Sequence, residues 1–231
     1  MDEARSFVSR REKTYNRDMK LYRFSYSPYA RKVQLLLELM GRRPEVIDVG
    51  YSDRRELAAL TGGYIHVPVL VTDDGRAITE SRRICEHLVA EPDGARFVPA
   101  PWDGPIWAYH DFTDGPLEDV LFRLASPLVR DRWEDPGDRA LYVVMKERKF
   151  GPGCVDAWAA ARGELLARGR ALLLPSLRTL AARPYLFGDQ PTLADVALYG
   201  QLAMVAVEPA LVAQLGERFP EYMRRLEALS R

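Results

Sequence analysis

The stretch VPVLVTDDGRAITES, residues 67–81, decides the fold of this chain. Residues 67–71 are almost wholly apolar and predict a strand. Because Pro68 donates no ladder hydrogen bond, this strand either begins there or lies at a sheet edge. Asp74-Gly75 predicts a tight turn and 76–78 a second strand, which together form a hairpin. A proline at such a position can be cis, which would bend the backbone sharply and leave the preceding peptide groups free to pair with an extended peptide.

The residues on either side of this hairpin alternate between strand and helix patterns. Residues 20–24 alternate polar and apolar side chains and predict a first strand, and 45–49 predicts a second. Between them, 29–40 carries apolar residues at helical spacing. Residues 53–60 and 81–90 predict two further helices. The resulting order is β-α-β-α-β-β-α, an α/β arrangement in which the first βαβ unit should be parallel and right-handed.

The remainder of the chain carries helical signals only. Residues 91–103 are rich in proline and predict a linker. Beyond the linker, apolar residues recur at helical spacing, and the longest such pattern, 155–182, predicts one helix that bends at Pro175. The predicted organisation is therefore an N-terminal extension, an α/β domain, a linker and an all-α domain, at 1–18, 19–90, 91–103 and 104–231 respectively.

The composition argues against several classes of function. Lys and Arg together number 33, as do Asp and Glu, so the formal net charge of +0 argues against a nucleic-acid or anionic-membrane partner. Two cysteines, Cys85 and Cys154, and three histidines give neither a disulfide framework nor the spacing of a metal site. No apolar run is long enough to span a bilayer, and the N-terminal residues lack the apolar core of a secretory signal. We therefore expect a cytoplasmic protein without a bound metal.

A capping box is predicted in the C-terminal part of the chain. Thr192 stands at the start of a helix predicted over 192–207, and Asp195 follows three positions later. In such a box the hydroxyl accepts from the N–H at the third helical position, and the carboxylate accepts from the N–H of the capping residue. We interpret Asp195 as a structural residue and not as a catalytic one.

Three segments together resemble the glutathione transferase superfamily, and the resemblance covers residues 20–231. They are SYSP at 25–28, the hairpin segment at 67–81 and LFGDQPTLAD at 186–195. The resemblance implies a thioredoxin-like N-terminal domain, an all-α C-terminal domain and a homodimer. It also implies that glutathione is the cosubstrate and that a small apolar electrophile is the second substrate.

The resemblance implies that Ser27, immediately before Pro28 at the start of the first predicted helix, is the catalytic hydroxyl. A serine hydroxyl is a poor base at neutral pH, but it can donate a hydrogen bond to a thiolate, which is worth about 1.5–3 kcal/mol. The positive end of the helix dipole favours the same anion. The structural alternative is that Ser27 only caps the helix. Tyr22, Ser25 and Tyr26 are rival hydroxyls.

The resemblance also implies residues that bind the rest of glutathione. The backbone of Val67, before Pro68, would pair with the cysteinyl part of the peptide. Glu80 would bind the γ-glutamyl ammonium. Ser81 would bind the neighbouring carboxylate through its hydroxyl and through the N–H groups at the helix end.

The glycyl end and the second-substrate pocket complete the predicted site. His66 is predicted to contact the glycyl end of glutathione, with Arg54 or Arg55 as alternatives. Tyr109 and Phe112 lie near the start of the all-α domain, in the helix that faces the glutathione sulfur in this family. They are therefore predicted to line the pocket for an apolar or aromatic electrophile.

The main functional prediction is conjugation of glutathione to small electrophiles. Glutathione-dependent isomerisation, dehalogenation or peroxide reduction are variants within the enzyme class, and a non-catalytic glutathione-binding or scaffold protein is the alternative outside it. A thiol transferase would need a cysteine in the site, and neither Cys85 nor Cys154 is placed for it. Residues 129–153 depart from the family pattern and predict an insertion near the pocket, so the sequence does not determine the electrophile.

Overall fold

The computed structural model of this protein describes residues 19–231, so the extension predicted at 1–18 lies outside the described residues. The described chain begins with a mixed sheet whose strands are β1 (Lys20–Arg23), β2 (Glu45–Asp48), β3 (Val69–Val71) and β4 (Ala77–Thr79). The strand order is β2-β1-β3-β4, with β1 and β2 parallel and the other two pairs antiparallel. This is the predicted α/β arrangement, with β3 and β4 forming the hairpin.

Both faces of the sheet are covered by helices. The helices α1, α2 and α3 lie at Pro28–Leu39, Arg55–Thr61 and Ser81–Val89. Successive side chains of a strand point to opposite faces. Leu21 and Leu70 therefore join the core that contains α1 and α3, whereas Tyr22 and Val69 form a smaller cluster with Leu57 of α2.

The rest of the described chain is helical, which confirms the predicted all-α region. After two short 3-10 turns at Ala95–Phe97 and Ala100–Trp102, its helices are α4 (Asp103–Phe112), α5 (Glu118–Arg130), α6 (Pro136–Phe150), α7 (Cys154–Ala160), α8 (Arg162–Ala182), α9 (Leu193–Val205), α10 (Pro209–Leu215) and α11 (Phe219–Leu229). Over the described part of the chain, none of these helices combines the length and apolarity needed to cross a bilayer.

The structure corrects two of the predicted helices. The pattern over 155–182 predicts one helix, but the chain forms α7 and α8 with a break at Ala161, and Pro175 lies inside α8. Trp158 and Leu165 belong to one apolar core, so the helical pattern runs through the break. The helix predicted over 192–207 ends at Val205, and α10 follows as a separate helix.

The joint between α4 and α5 is a π-helical turn at Thr113–Leu117, which contains Gly115 and Pro116. Proline lacks the N–H that would continue an α-helical ladder, and wider turns of this kind accommodate the interruption. The sequence predicts a kink at this point for the same reason.

Helix α9 joins the sheet region to the helical region. It is apolar around most of its circumference and almost wholly buried, as expected of a central helix. It packs on α1 so closely that a Cβ atom on Gly200 would lie 2.4 Å from the carbonyl oxygen of Pro28. The predicted capping box holds its start, because the N–H of Thr192 donates to Asp195 Oδ2 over 2.8 Å and the Tyr222 hydroxyl donates to Oδ1 over 2.9 Å. The box therefore fixes the helix against which α1 is positioned.

Candidate functional site

A cavity of about 600 Å³ lies between the N-terminus of α1 and the helices α5 and α6. Ser27, His66 and Val67 line it from the sheet region, so the fold brings three of the predicted site residues to one place. Glu118 of α5 and Lys146 of α6 lie on the facing wall. Both regions of the chain therefore contribute to the cavity.

Ser27 caps α1 and also faces the cavity. Its Oγ accepts a hydrogen bond from the N–H of Ala30 over 3.3 Å, and Pro28 occupies the first helical position. The residue is 5% exposed. Among residues 19–231 no acceptor is hydrogen-bonded to its O–H, so the hydroxyl hydrogen is available to an anion in the cavity. Capping and hydrogen-bond donation are therefore compatible at this residue.

Two of the three rival hydroxyls, those of Tyr22 and Ser25, are less well placed than that of Ser27. The Tyr22 hydroxyl donates to Glu56 Oε1 over 2.6 Å outside the cavity. Ser25 is exposed and lines a different cavity. Tyr26 lines the same cavity as Ser27, but burial, and then the neighbouring Tyr142, raise the pKa of its phenol far above the usual range. Tyr26 therefore keeps its proton throughout the neutral range and, like Ser27, could donate it to an anion, so it stays a rival within the cavity.

The edge formed by β3 and β4 brings the other predicted glutathione ligands close to the cavity. The Val67–Pro68 peptide bond is cis. Val69 pairs with Thr79 across the hairpin. Pro68, which precedes Val69, therefore lies next to Glu80, which follows Thr79. Glu80 has a φ of 67°, which is uncommon for a residue other than glycine. Ser81 opens α3. Glu80 and Ser81 flank this edge, although neither lines the cavity itself.

A chain of side-chain contacts connects Glu80 to the cavity. The Tyr64 hydroxyl donates to Glu80 Oε1 over 2.9 Å, and the Tyr64 ring lies 5.4 Å from the ring of His66, centroid to centroid. Of the two alternatives at the predicted glycyl end, Arg54 lines the cavity, whereas the side chain of Arg55 is 91% exposed at the surface. Of the three residues predicted to contact the glycyl end of glutathione, His66 and Arg54 therefore line the cavity and Arg55 does not.

Tyr109 and Phe112 do not line this cavity, contrary to the prediction for the second-substrate pocket. The Tyr109 hydroxyl lies 2.7 Å from Ser176 Oγ of α8, and the Tyr109 and Phe112 rings pack together 5.6 Å apart. Both residues pack against the core of the helical region. The Phe and Tyr side chains that do line the cavity are Phe24, Tyr26, Tyr29, Tyr51, Phe122, Tyr142 and Phe150.

Glu118 is a cavity-lining acid that sequence reasoning missed. Burial raises the pKa of its carboxyl to about 7, while the positive charge of Lys149 acts in the opposite direction. Its carboxylate interacts with the hydroxyl of Tyr29, whose own pKa is raised by burial. A carboxyl group that titrates near neutral pH inside a cavity can donate or accept a proton during a reaction.

Lys146 was also missed, although it lies in the segment predicted as an insertion. Its Nζ is 4.2 Å from the centroid of the Tyr142 ring and 5.3 Å from that of Phe122. Burial, and then the positive charge of Arg54, lower the pKa of its ammonium group to about 8. No local sequence signal marks Lys146 or Glu118, because their environment is created by other helices.

No cysteine of the described chain lines this cavity. Cys85 and Cys154 are both buried and neither lines it. Burial raises the pKa of the Cys85 thiol to about 11, so this thiol stays protonated. Within the described ranges, no group of three or more His, Cys, Asp or Glu side chains is arranged to hold a metal ion.

The two regions of the chain match two family models of one superfamily. Residues 21–96 match the glutathione S-transferase N-terminal domain, and residues 163–225 match the glutathione S-transferase C-terminal domain. Together the two matches cover more than half of the chain. The chain belongs to the glutathione S-transferase superfamily.

Individual relatives are distant in sequence. Glutathione S-transferase PM239X14 of Arabidopsis thaliana is 28% identical over 209 residues, which are 84% of this chain and 85% of that protein. Glutathione S-transferase omega-1 of Rattus norvegicus is 29% identical over 86 residues, so the match spans only 36% of that relative and 37% of this chain. The crystal structure of CsGST63524, a glutathione S-transferase of Ceriporiopsis subvermispora in complex with glutathione, superposes with a TM-score of 0.77. That similarity covers 91% of this chain and 97% of the other at 17% identity, and therefore concerns the fold.

Proposed function

We propose that this protein is a glutathione transferase that binds glutathione along the edge at Val67, with the sulfur atom at Ser27. The observation that carries the proposal is that Ser27, at the N-terminus of α1, shares one cavity with Val67 and with a wall of aromatic side chains. The membership of the superfamily and the glutathione complex of CsGST63524 support the choice of ligand.

The backbone at Val67 suits an extended peptide. Its N–H and C=O have no hydrogen-bond partner among the described residues, and the side chain lines the cavity. A half-buried backbone with a free donor and a free acceptor can pair with an extended chain, as one strand pairs with the next. The cysteinyl part of glutathione would supply that pair, while Glu80 and Ser81 would bind the γ-glutamyl end one step further along the hairpin.

Two features of α1 favour the thiolate form of bound glutathione. A hydrogen bond from the Ser27 hydroxyl is worth about 1.5–3 kcal/mol, which lowers a thiol pKa of about 8.5 by roughly 1 to 2. The positive end of the α1 dipole acts in the same direction. Much of the bound cosubstrate is then the nucleophilic thiolate at neutral pH.

The second substrate would occupy the part of the cavity formed by α5 and α6. Rings of Tyr51, Phe122, Tyr142 and Phe150 line this part, and an apolar electrophile would replace water there. For an aryl chloride, the sulfur forms a bond to the ring carbon that carries chlorine, and chloride leaves with the electron pair of the broken bond. The products are the thioether and chloride.

Isomerisation is the second candidate, and Glu118 is the observation that favours it. A carboxyl with a pKa of about 7 beside bound glutathione can move a proton within a glutathione adduct. A glutathione-dependent isomerase would convert a cis-enone to its trans isomer without consuming glutathione. Following both the enone and the thiol by chromatography separates this activity from conjugation.

Two measurements test the proposed function. Calorimetry reports whether the full chain binds glutathione, and absorbance reports whether it conjugates glutathione to chlorodinitrobenzene. Binding with turnover supports the proposal. Binding without turnover on a panel of halides, enones and peroxides would make the protein a glutathione-binding module. Absence of binding would overturn every version of the proposal.

A further inference from the structure

Lys146 lies in the aromatic wall of the cavity and has no acidic partner among the residues that the structure describes. Its Nζ lies over three rings, at 4.2 Å from the centroid of Tyr142, 5.3 Å from Phe122 and 5.9 Å from Tyr51. Throughout residues 19–231, no carboxylate lies within ion-pair distance of this ammonium group, and no hydrogen bond to it is formed. Within the described part of the chain, the rings are therefore the only close favourable contacts of this charge.

The charged residues near Lys146 are mostly positive, so they do not neutralise its charge. Arg54 and Lys149 line the same cavity, and both disfavour the charged form of Lys146. Glu118 favours the charged form of Lys146, but its effect is smaller than those of burial, Arg54 and Lys149. Because the pKa of Glu118 is about 7, this carboxyl is also partly protonated near neutral pH. Burial lowers the pKa of Lys146 to about 8, so the group is still mostly charged at pH 7.

A partly buried ammonium group whose close favourable contacts are aromatic rings can accept one more favourable partner. Cation–π contacts contribute about 0.5–2 kcal/mol, which offsets only part of the cost of desolvating a charge. An anion within hydrogen-bond distance of Nζ would supply the ionic partner that this ammonium group lacks. Of these rings, that of Phe122 is half-buried and lines the cavity together with the half-buried ring of Phe150, so both present an apolar face to a planar group that carries this anion.

We propose that the second substrate is a planar aromatic electrophile that carries a carboxylate, and that this carboxylate pairs with Lys146 while the ring lies against Phe122 and Phe150. The proposal rests on the proposed function, because the electrophile must reach the thiolate at Ser27. It differs from the glutathione ligands, since Lys146 lies on α6 and the predicted ligands for the carboxylates of glutathione lie in the sheet region.

A binding experiment tests the proposal without requiring turnover. Two product analogues, S-(para-carboxybenzyl)glutathione and S-(para-carbamoylbenzyl)glutathione, have nearly the same size and differ in charge. Calorimetry with the full wild-type chain should show about ten- to a hundredfold tighter binding of the carboxylate, as expected for a charge-assisted hydrogen bond in a partly buried site. Equal binding of the two analogues overturns the inference and leaves the proposed function standing. Binding of neither analogue, nor of glutathione, overturns the proposed function itself.

A pair of variants assigns the preference to Lys146. Lys146→Met keeps the apolar stem and removes the charge, so the preference for the carboxylate analogue should disappear while the binding of the carbamoyl analogue changes little. Arg148→Met is the matched control, because it removes one positive charge from the exposed face of the same helix and does not line the cavity. A preference that survives in Lys146→Met contradicts the assignment.

Kinetics distinguish an electrophile carboxylate from a carboxylate of glutathione. The substrates are a chloronitrobenzoate and the corresponding chloronitrobenzamide, each conjugated by displacement of chloride. Lys146→Met should raise KM for the benzoate about ten- to a hundredfold and leave KM for glutathione unchanged with the benzamide. A rise in KM for glutathione with both electrophiles would show that Lys146 binds glutathione, which overturns the inference. If the variant fails to fold, the wild-type preference between the two analogues still decides the substrate class.

Discussion

The Nζ atom of Lys32 lies 2.6 Å from Oδ2 of Asp114, and this ion pair connects α1 to the π-helical turn between α4 and α5. Lys32 is 1% exposed, and its Nζ is also 2.9 Å from Nε2 of His110. Burial, and then the charge of Lys32, lower the pKa of His110 to about 4, so His110 is neutral at physiological pH and can accept a hydrogen bond from the ammonium group. The helix that carries Ser27 is therefore tied to the helical region by a buried charge.

Lys32→Met should destabilise the fold by about 3–5 kcal/mol, because the substitution leaves the carboxylate of Asp114 without its cation. The measurement is the free energy of unfolding in urea. The double variant Lys32→Met with Asp114→Leu removes both charges and should recover most of the loss. A single variant as stable as wild type would show that the pair is not important for the junction.

Gly200→Ala should weaken both stability and glutathione binding. A Cβ atom at this position would lie 2.4 Å from the carbonyl oxygen of Pro28 and 3.0 Å from Cβ of Lys32, so α1 must shift away from α9. Overpacking of this kind costs about 1–3 kcal/mol. The shift would also move Ser27, which precedes Pro28, and calorimetry should report weaker binding of glutathione.

Gly163→Ala provides the matched control for Gly200→Ala. Gly163 lies in α8 at an exposed position, and a Cβ atom there would have no neighbour within 4 Å. Since alanine favours a helix over glycine by up to about 1 kcal/mol, this variant should be neutral or slightly more stable. Equal effects of the two substitutions would contradict the role assigned to the close approach of α9 and α1.

Ser27→Ala should raise the pKa of bound glutathione by about 1 to 2, because the variant cannot donate a hydrogen bond to the thiolate. The pKa is read from the ultraviolet absorbance of the thiolate in a pH titration, and kcat/KM at pH 7 should fall about ten- to a hundredfold. Ser25→Ala is the control, since Ser25 lies outside the cavity. An unchanged thiol pKa in Ser27→Ala would restrict Ser27 to its capping role.

Glu118→Gln should make the stability of the protein less dependent on pH. Burial raises the pKa of Glu118 from 4.5 to about 7 in the folded state. As the pH rises from 4.5 to 7, the unfolded chain releases this proton before the folded chain does, so stability is lost over that window. The loss amounts to about 1–3 kcal/mol after allowance for solvent screening, and the uncharged glutamine does not incur it.

The difference in unfolding free energy between Glu118→Gln and wild type should therefore be small at pH 5 and favour the variant at pH 8. Urea unfolding at both pH values measures it. Glu164→Gln is the control, because it removes an exposed carboxylate that forms no ion pair with any described residue. A constant difference between Glu118→Gln and wild type at the two pH values would contradict the raised pKa.

The sequence alone determined the parts of this protein that depend on near neighbours in the chain. Pro68 and the turn at Asp74-Gly75 specify the hairpin, and Pro28 marks the start of α1, since each acts through its own backbone. Thr192 and Asp195 specify the capping box for the same reason. The order of strands and helices followed from these signals and from apolar periodicity.

The tertiary structure decided which faces meet and which charges are buried. Periodicity shows that Tyr109 and Phe112 lie on an apolar face, but only the position of α8 shows that this face points to the core and not to the cavity. The environments of Glu118 and Lys146 likewise arise in large part from residues far away in sequence: Lys149 for Glu118 and Arg54 for Lys146. A side chain has its ordinary acid–base properties until burial and distant charges change them, and those changes exist only once the helices have packed.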